Sequence, residues 1–232
     1  MKRSQINTIL QEAIAFLAQH QFFLPPFAFW TPEDWQAKGA EVAEIVEGRL
    51  GWDVTDFGLG DFERSGLLLF TLRNGSVENL QAGRGKLYAE KIMIVREGQV
   101  TPLHFHWQKT EDIINRGGGN LLIRLYNASA DGAELLDTDV AVQTDGVRRV
   151  VEAGGTVALR PGESITLETG LYHSFWAEPG KGTVLAGEVS VVNDDRTDNR
   201  FYEPLGRFPA IEEDEPPLYL LVTDYPDYAP LI

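Results

Sequence analysis

The chain has 232 residues, no cysteine and a formal net charge of −15, from 20 basic and 35 acidic side chains. The lack of cysteine excludes disulfides, thiol nucleophiles and cysteine-ligated zinc sites. The acidity argues against nucleic acid and anionic membranes as partners, because phosphate groups are bound through Lys and Arg. Hydrophobic residues make up 43% of the chain, and with this length they predict one globular domain.

Neither a targeting signal nor a membrane-spanning segment is indicated by the sequence. Lys2 and Arg3 make the start basic, but no uninterrupted apolar stretch follows them. The longest apolar run, residues 67–70, is far shorter than the roughly 20 residues that a spanning helix needs. We therefore expect a soluble cytoplasmic protein.

The first 50 residues are predicted to form a helical extension. Apolar side chains recur at spacings of three and four from Ile6 to Leu17, which predicts a helix over residues 5–18 with Ser4 as its N-cap. Thr31 followed by Pro32 and two acidic residues predicts a second helix, which Gly39 would end. We expect this extension, residues 1–50, to pack on a second part formed by residues 51–232.

From about residue 52 the pattern changes to short apolar segments that predict strands. The predicted strands are 67–73, 88–96, 99–107, 120–126, 140–144, 147–151, 156–159, 164–167, 172–177 and 183–192. Asn74-Gly75 and Asp145-Gly146 are tight-turn signals, and the second predicts an extra hairpin. Many short strands at this spacing favour a β-sandwich or barrel. The proline-rich, acidic tail from residue 204 carries enough apolar side chains that we expect it to pack on the barrel.

Three of the four histidines lie in this strand region. His104 and His106 are two residues apart, so on one strand both rings face the same side. Glu111 follows closely, and His173 lies in a later strand. Three imidazoles and one carboxylate form a plausible ligand set for a divalent metal. His20 ends the first predicted helix, where a structural role is expected.

The surroundings of these ligands form a recognisable motif. Its pattern is Gly98-x5-His104-x-His106-x4-Glu111-x6-Gly118, and it resembles the first motif of the cupin superfamily position by position. The resemblance implies an antiparallel jelly-roll β-barrel with a metal inside. It doesn't imply a reaction, because this fold hosts dioxygenases, decarboxylases, isomerases and plain binding proteins.

The second cupin motif matches more loosely. The segment Gly162-x5-Glu168-x-Gly170-x2-His173-x3-Ala177 keeps the spacing, both glycines and the histidine. Glu168 stands where the superfamily usually has proline, and Ala177 where it has asparagine. Those two positions shape a turn and a barrel contact, so the metal ligands are unaffected.

A narrower resemblance covers nearly the whole chain. Residues 51–58, 69–75, 104–120 and 208–215 look like the D-lyxose isomerases, a family of cupin-type aldose–ketose isomerases that usually depend on manganese. The resemblance implies interconversion of D-lyxose with D-xylulose, and of D-mannose with D-fructose. The ligand types fit Mn(II) and also Fe(II), Co(II) or Ni(II). By analogy with other cupins, we expect a homodimer.

Aldose–ketose isomerisation needs a general acid and base within reach of the substrate. Glu203 follows the last predicted barrel strand, and we expect it to be the base. Lys109 lies between two metal ligands and is the second candidate, although it could also be a solvated loop lysine. Asp214, in an acidic run that recurs in the isomerases, is the third.

Substrate contacts are expected from another set of side chains. Lys91, on the strand before the metal motif, could point into the barrel or out of it. Glu212 belongs to the acidic run of the tail, which could equally be a solvated surface. Trp176 is a candidate to stack on a sugar ring, although an aromatic residue there is more often part of the core.

Two other functions remain open from the sequence alone. A cupin dioxygenase would use the same ligand set with iron to activate oxygen. A sugar-binding cupin would hold a metal without turnover and would need no acid–base residues beside the substrate. Polar groups around the site would favour a sugar, whereas a purely apolar cavity would favour the dioxygenase.

Overall fold

The computed structural model of the protein describes residues 1–192, 194 and 196–229. Its helices are α1 (Arg3–Gln19), α2 (Pro32–Gln36), α3 (Ala43–Glu47), α4 (Phe62–Ser65), α5 (Val77–Gln81) and α6 (Tyr225–Tyr228), with 3-10 turns at Pro26–Phe29 and Ala40–Val42. In the described part of the chain, no helix is both long and apolar enough to cross a bilayer.

Fourteen strands in the described residues form two antiparallel sheets. They are β1 (Gly51–Thr55), β2 (Leu67–Arg73), β3 (Tyr88–Val95), β4 (His104–His106), β5 (Glu111–Gly118), β6 (Leu121–Ala128), β7 (Leu135–Leu136), β8 (Val140–Thr144), β9 (Val147–Val151), β10 (Thr156–Leu159), β11 (Ser164–Leu167), β12 (Leu171–Ala177), β13 (Val184–Val191) and β14 (Asn199–Phe201). The larger sheet runs β1-β2-β3-β13-β5-β11-β8-β9, and the smaller runs β10-β6-β12-β4-β14 with β7 beside β6. The predicted antiparallel barrel of the jelly-roll type is confirmed.

Alternate residues of the central strands serve two separate cores. Leu69 and Met93 point between the sheets and join the barrel core. Phe70 and Ile92, their chain neighbours, point the other way and pack against α1. Side chains alternate between the two faces of a strand, so a strand that is buried on both faces has a nearly continuous apolar sequence. This explains the apolar sequence of β2, and it places α1 on the outside of the larger sheet.

The predicted helix over residues 5–18 is confirmed as part of α1, but its predicted cap is wrong. The N-cap residue is Lys2, and it makes no side-chain capping bond. Ser4 lies inside the first turn, where its backbone N–H and Oγ donate to the carboxylate of Asp214 at 2.9 and 2.7 Å. The anion that suits a helix N-terminus therefore comes from the tail, a long-range contact that local sequence doesn't reveal.

The second predicted helix begins as expected. Thr31 and Asp34 form a reciprocal capping box, and Pro32 occupies the first turn of α2. The helix ends at Gln36, before Gly39. The predicted hairpin at Asp145-Gly146 is also confirmed, because β8 and β9 pair directly across it and both turn residues have the positive φ that such a turn requires.

The tight turn predicted at Asn74-Gly75 is wrong. The connection between β2 and β3 contains α5, which Ser76 caps by accepting from the backbone N–H of Asn79 at 3.1 Å. Gly75 doesn't have a positive φ. Instead it lets the chain pass close to the backbone carbonyl of Lys86, where a Cβ would collide.

The strand predicted over residues 99–107 is mostly wrong, since only β4 is regular. Pro102 lies in the segment before β4 and cannot donate to a sheet, and Val100 makes only an isolated bridge to Trp176. Strands β1, β5, β7 and β14 are not among the predicted strand segments. In β5, polar Glu111 and Asn115 occupy inward positions, which hides the apolar alternation typical of a strand.

The tail packs on the body of the protein, as predicted. Leu221 pairs with Trp52 of β1 in an isolated parallel bridge. Leu220, Val222 and Tyr225 form a third core with Trp35 of α2.

Candidate active site

Three histidines meet inside the barrel because two neighbouring strands of the smaller sheet carry them. His104 of β4 lies directly opposite His173 of β12 in the antiparallel register, and His106 follows on the same face of β4. One ring nitrogen from each of the three lies within 4.8 Å of the others. The predicted ligand histidines therefore form one cluster, with His106 and His173 buried.

Backbone carbonyls fix the orientation of two rings. Nδ1 of His104 lies 2.8 Å from the carbonyl oxygen of Pro102, and Nδ1 of His173 lies 3.0 Å from that of Leu171. Because a carbonyl can only accept, each Nδ1 carries the proton, and each Nε2 keeps a lone pair. This is the arrangement typical of metal-ligating histidines.

Glu111 faces the histidines from the larger sheet, where it begins β5. Its Oε1 atom lies 3.2 Å from Nε2 of His173 and 3.4 Å from Nε2 of His106. Nε2 of His173 makes no hydrogen bond to any described residue, so a lone pair and a carboxylate oxygen face each other. Two such acceptors repel unless a cation lies between them, and the four side chains accordingly fit a divalent metal ion.

Burial and neighbouring charge keep these groups in the protonation states that a metal requires. Burial, helped by the two neighbouring histidines, holds the pKa of His104 well below its ordinary value, so the ring is neutral. For Glu111 burial acts to raise the pKa, but the ammonium of Lys109 and the ring of His106 outweigh it. The pKa of Glu111 is consequently well below its ordinary value, and the side chain is a carboxylate.

A chain of alternating charges continues from Glu111 into the barrel. Nζ of Lys109 lies 2.5 Å from Oε2 of Glu111 and 2.9 Å from Oε1 of Glu188, and Nζ of Lys91 lies 3.3 Å from the same oxygen of Glu188. All four side chains are buried. Lys91 and Glu188 are directly opposite each other on β3 and β13. Buried charges are rare in proteins unless they are paired or functional.

These groups line one cavity between the sheets. Its other walls include Phe57, Phe175 and Phe201. Arg207 of the tail also lines it and donates to the carboxylate of Asp53 at 2.7 Å. The cavity thus offers aromatic walls together with several charged groups, a combination that suits a small polar ligand.

A larger surface groove of about 540 Å³ lies elsewhere, along β6 and β8. Its lining includes Gln143, Arg148 and Glu168 and none of the histidines described above. We place the chemistry in the smaller cavity, because buried charges and convergent nitrogen atoms identify a reactive site better than volume does.

The structure brings together six of the ten predicted site residues: His104, His106, Glu111, His173, Lys109 and Lys91. It doesn't bring Glu203 to the cavity. That residue is exposed, because the chain bends away after Phe201, at the end of β14. A role for Glu203 as the base stays a prediction without support from its position.

The remaining three predicted residues also lie away from the cavity. Asp214 is bound to Ser4 at the start of α1. Glu212 is exposed and pairs through its backbone with Lys2. Trp176 lies against the guanidinium of Arg124 and doesn't line the cavity. The acidic run thus fastens the tail to the N-terminal helix.

Sequence reasoning missed Glu188, the most prominent addition to the site. A signal was present, because Glu188 is a lone charged residue within the apolar strand β13. A carboxylate at an inward position of such a strand is unlike a surface acid. Arg207 had no comparable signal, since it stands in an irregular, mixed-charge segment.

Comparison with known proteins agrees with this geometry. The family model for D-lyxose isomerase matches residues 1–225. The chain belongs to the D-lyxose isomerase family. The D-lyxose/D-mannose isomerase of Serratia proteamaculans is 55% identical, covering 97% of this chain and 98% of the relative. The enzyme of the same name from Escherichia coli O157:H7 is 54% identical over equal shares.

Solved structures support the fold of this D-lyxose isomerase family member. The L-ribose isomerase of Cellulomonas parahominis superposes with a TM-score of 0.60 at 16% identity, covering 91% of this chain and 98% of that one. The L-ribose isomerase of Acinetobacter sp. DL28, in complex with L-ribose, gives a TM-score of 0.61 at 15% identity, covering 90% and 98%. At such identities the likeness concerns the fold alone.

Proposed function

We propose that the protein is a metal-dependent aldose–ketose isomerase that interconverts D-lyxose with D-xylulose, and D-mannose with D-fructose. The observation that carries the proposal is the buried Glu188–Lys109 pair, which lies next to a carboxylate and three histidines that fit a metal. Membership of the D-lyxose isomerase family and the names of its close relatives point to the same substrates.

His104, His106, His173 and Glu111 would hold one divalent ion. When bound, the ion would polarise the sugar oxygens at C1 and C2 and so stabilise negative charge that develops there. Mn(II) is our first choice, with Fe(II), Co(II) and Ni(II) as alternatives that the same ligands accept.

The chain's own residues would move the protons. In the aldose-to-ketose direction, one proton passes from C2 to C1 and another from the C2 hydroxyl to the C1 oxygen. We assign the first transfer to the carboxylate of Glu188, whose Oε1 is 2.9 Å from Nζ of Lys109. Lys109 is assigned to the transfer between oxygens, and Lys91 would keep Glu188 in place through their ion pair.

The charged lining of the cavity favours this function over the two alternatives. A dioxygenase has no need of Lys91, Lys109 and Glu188 within one buried cluster. A protein that only binds sugar gains nothing from a buried acid–base pair, which is costly to bury.

The proposal also covers the setting in which the enzyme works. We propose that it works in the cytoplasm as a homodimer, the assembly that the cupin resemblance suggests. Light scattering coupled to size-exclusion chromatography measures the mass in solution, and a mass of one chain, 25.8 kDa, would overturn the dimer.

A substrate screen tests the proposed function. The full-length protein, loaded in turn with Mn(II), Fe(II), Co(II) or Ni(II), is incubated with a panel of aldoses, and ketose formation is followed by NMR. D-lyxose and D-mannose should give D-xylulose and D-fructose. If no aldose yields a ketose with any of the four metals, the proposed function is wrong.

A further inference from the structure

Asp198 is a buried acid just before β14, and its carboxylate lies at the edge of the histidine cluster. Its Oδ1 accepts from the backbone N–H of Gln108 at 2.8 Å, and its Oδ2 accepts from that of Lys109 at 3.2 Å. Its own backbone carbonyl accepts from the N–H of Trp107 at 3.1 Å. One residue thereby anchors three consecutive amides of the loop that joins His106 to Glu111.

The same carboxylate faces the ring of His106. Oδ2 of Asp198 lies 3.9 Å from Nδ1 of His106, which is buried and makes no hydrogen bond to any described residue. This distance is longer than a hydrogen bond, but a small ring movement would close it. Nε2 of the same ring lies beside Glu111, so Nε2 is the atom that would bind an ion and Nδ1 must then carry the proton.

The three histidines thus share one feature. Nδ1 of His104 faces the carbonyl of Pro102, Nδ1 of His173 faces the carbonyl of Leu171, and Nδ1 of His106 faces Asp198. An oxygen acceptor beside the outer nitrogen fixes the tautomer and the ring orientation of a ligating histidine, and a carboxylate also makes the ring a stronger donor.

We propose that Asp198 is a positioning residue of the metal centre, an inference that rests on the proposed function. Its carboxylate orients His106 for the ion. By fixing the 107–109 loop, it also holds Nζ of Lys109 between Glu111 and Glu188. Asp198 touches neither the sugar nor the ion, and it acts through these two neighbours.

One substitution tests this role, and a second serves as its control. Asp198→Asn keeps the shape but presents an amide N–H₂ to one of the backbone N–H groups or to Nδ1–H of His106, so two donors face each other. The matched control is Asp194→Asn, four residues earlier, because the side chain of Asp194 bonds only to Arg196 among the hydrogen bonds described for it.

The decisive readout is binding of Mn(II) to metal-stripped protein, measured by calorimetry without sugar. Asp198→Asn should weaken Mn(II) binding by about 10- to 100-fold, the usual effect of losing such a partner, while Asp194→Asn binds like the wild type. Because kcat depends on Lys109, Asp198→Asn should also lower kcat more than it raises KM. An unchanged Mn(II) affinity for Asp198→Asn would overturn the proposal.

A second pair of variants covers the case in which Asp198→Asn doesn't fold. Asp198→Glu and Asp198→Gln have the same length and differ in charge, so Glu should recover Mn(II) affinity relative to Gln. Equal affinities of this pair would contradict the proposal. Failure of the proposed function looks different. The wild type would then bind Mn(II), and the Asp198→Asn variant would bind it more weakly, yet the wild type would form no ketose.

Discussion

Glu188 is the residue on which the proposed chemistry depends most. It lies on β13 between two lysine ammonium groups, and all three side chains are buried. Removing one member of such a buried cluster takes a charged neighbour from the others, so the substitutions that test it should preserve shape.

The first prediction concerns Glu188→Gln. The neutral amide keeps the size of the side chain but cannot take a proton from carbon, so kcat should fall by about 10²- to 10⁴-fold while Mn(II) binding stays close to that of the wild type. Steady-state kinetics with D-lyxose measure the effect. Glu203→Gln is the matched control, because Glu203 is exposed and its loss should change little. Normal turnover by Glu188→Gln with a slow Glu203→Gln would return the base to Glu203.

The second prediction concerns Lys109→Met. Loss of the ammonium should lower kcat more than it raises KM, because proton transfer between the sugar oxygens is lost. It should also change the pH dependence of Mn(II) binding. Lys109 keeps the pKa of Glu111 low, so without it that pKa rises and Mn(II) affinity is lost at a higher pH. The control is Lys181→Met, in an exposed turn, which should match the wild type in kcat, in KM and in the pH dependence of Mn(II) binding. An unshifted pH dependence of Mn(II) binding for Lys109→Met would contradict the account.

At this scale the cluster of His104, His106, His173 and Glu111 could be predicted from the sequence, whereas Glu188, the base that we propose, could not. His104, His106 and Glu111 stand at fixed spacings within one motif, so their chemistry can be recognised locally. Glu188 comes into the site through pairing of β13 with β3 and β5. That pairing is a long-range property, whereas the sequence favours Glu203 because it follows the last predicted barrel strand.

At the scale of elements, α1 and the tail are fastened together at one buried arginine. The guanidinium of Arg3 donates to Asp224 at 2.9 and 3.0 Å and to Glu213 at 2.6 and 2.8 Å. Asp214 and Glu212 add contacts to Ser4 and Lys2 nearby. The acidic run in the tail is therefore explained by its attachment to the first helix.

The third prediction follows from this contact. Arg3→Ala leaves the carboxylate of Asp224 buried without its charged partner, and breaking a buried ion pair in this way costs about 3–5 kcal/mol of unfolding free energy. Urea denaturation measures the change. Lys2→Ala is the control, since its 3.9 Å pair with Glu212 is exposed and worth about 0–1 kcal/mol. Equal stabilities of the two variants would show that the arginine doesn't hold the tail.

The wrong predictions of elements share a physical cause, because contacts with residues distant in sequence outweigh the local sequence pattern. Asn74-Gly75 has the composition of a tight turn, but Gly75 is required for a close approach to Lys86 instead. Strand β5 was overlooked because Glu111 and Asn115 point inward, one towards the histidines and the other to bond the carbonyls of Gly119 and Leu159. By contrast, the space around Gly146 is open, and both residues of Asp145-Gly146 have the positive φ of a tight turn, so turn chemistry decides the structure there.

At the scale of the whole molecule, the predicted division at residue 50 stays a prediction. Helix α1 shares its core with strands β1, β2 and β3, and the tail joins the same surface. We propose that both parts unfold as one cooperative unit. Calorimetric and van't Hoff enthalpies should then agree, and two separate transitions would favour independent parts.

The fourth prediction links the metal to global stability. An ion that binds only the folded chain stabilises it by mass action, by about 2.7 kcal/mol at a free concentration 100 times Kd. Mn(II) should accordingly raise the melting temperature of the stripped wild type. His173→Ala should lose most of this increase. His20→Ala should keep it, because His20 bonds to Phe16 on α1, away from the cluster. An equal increase in both variants would place the ion elsewhere.

The central claim is that one metal ion in the histidine cluster is required for isomerisation. The most direct test is to titrate Mn(II) into chelator-stripped, full-length protein while recording the initial rate of D-xylulose formation from D-lyxose. We predict no turnover at the start, a rate that rises in proportion to added metal, and a plateau at one ion per chain. Full turnover by the exhaustively stripped protein would contradict the account.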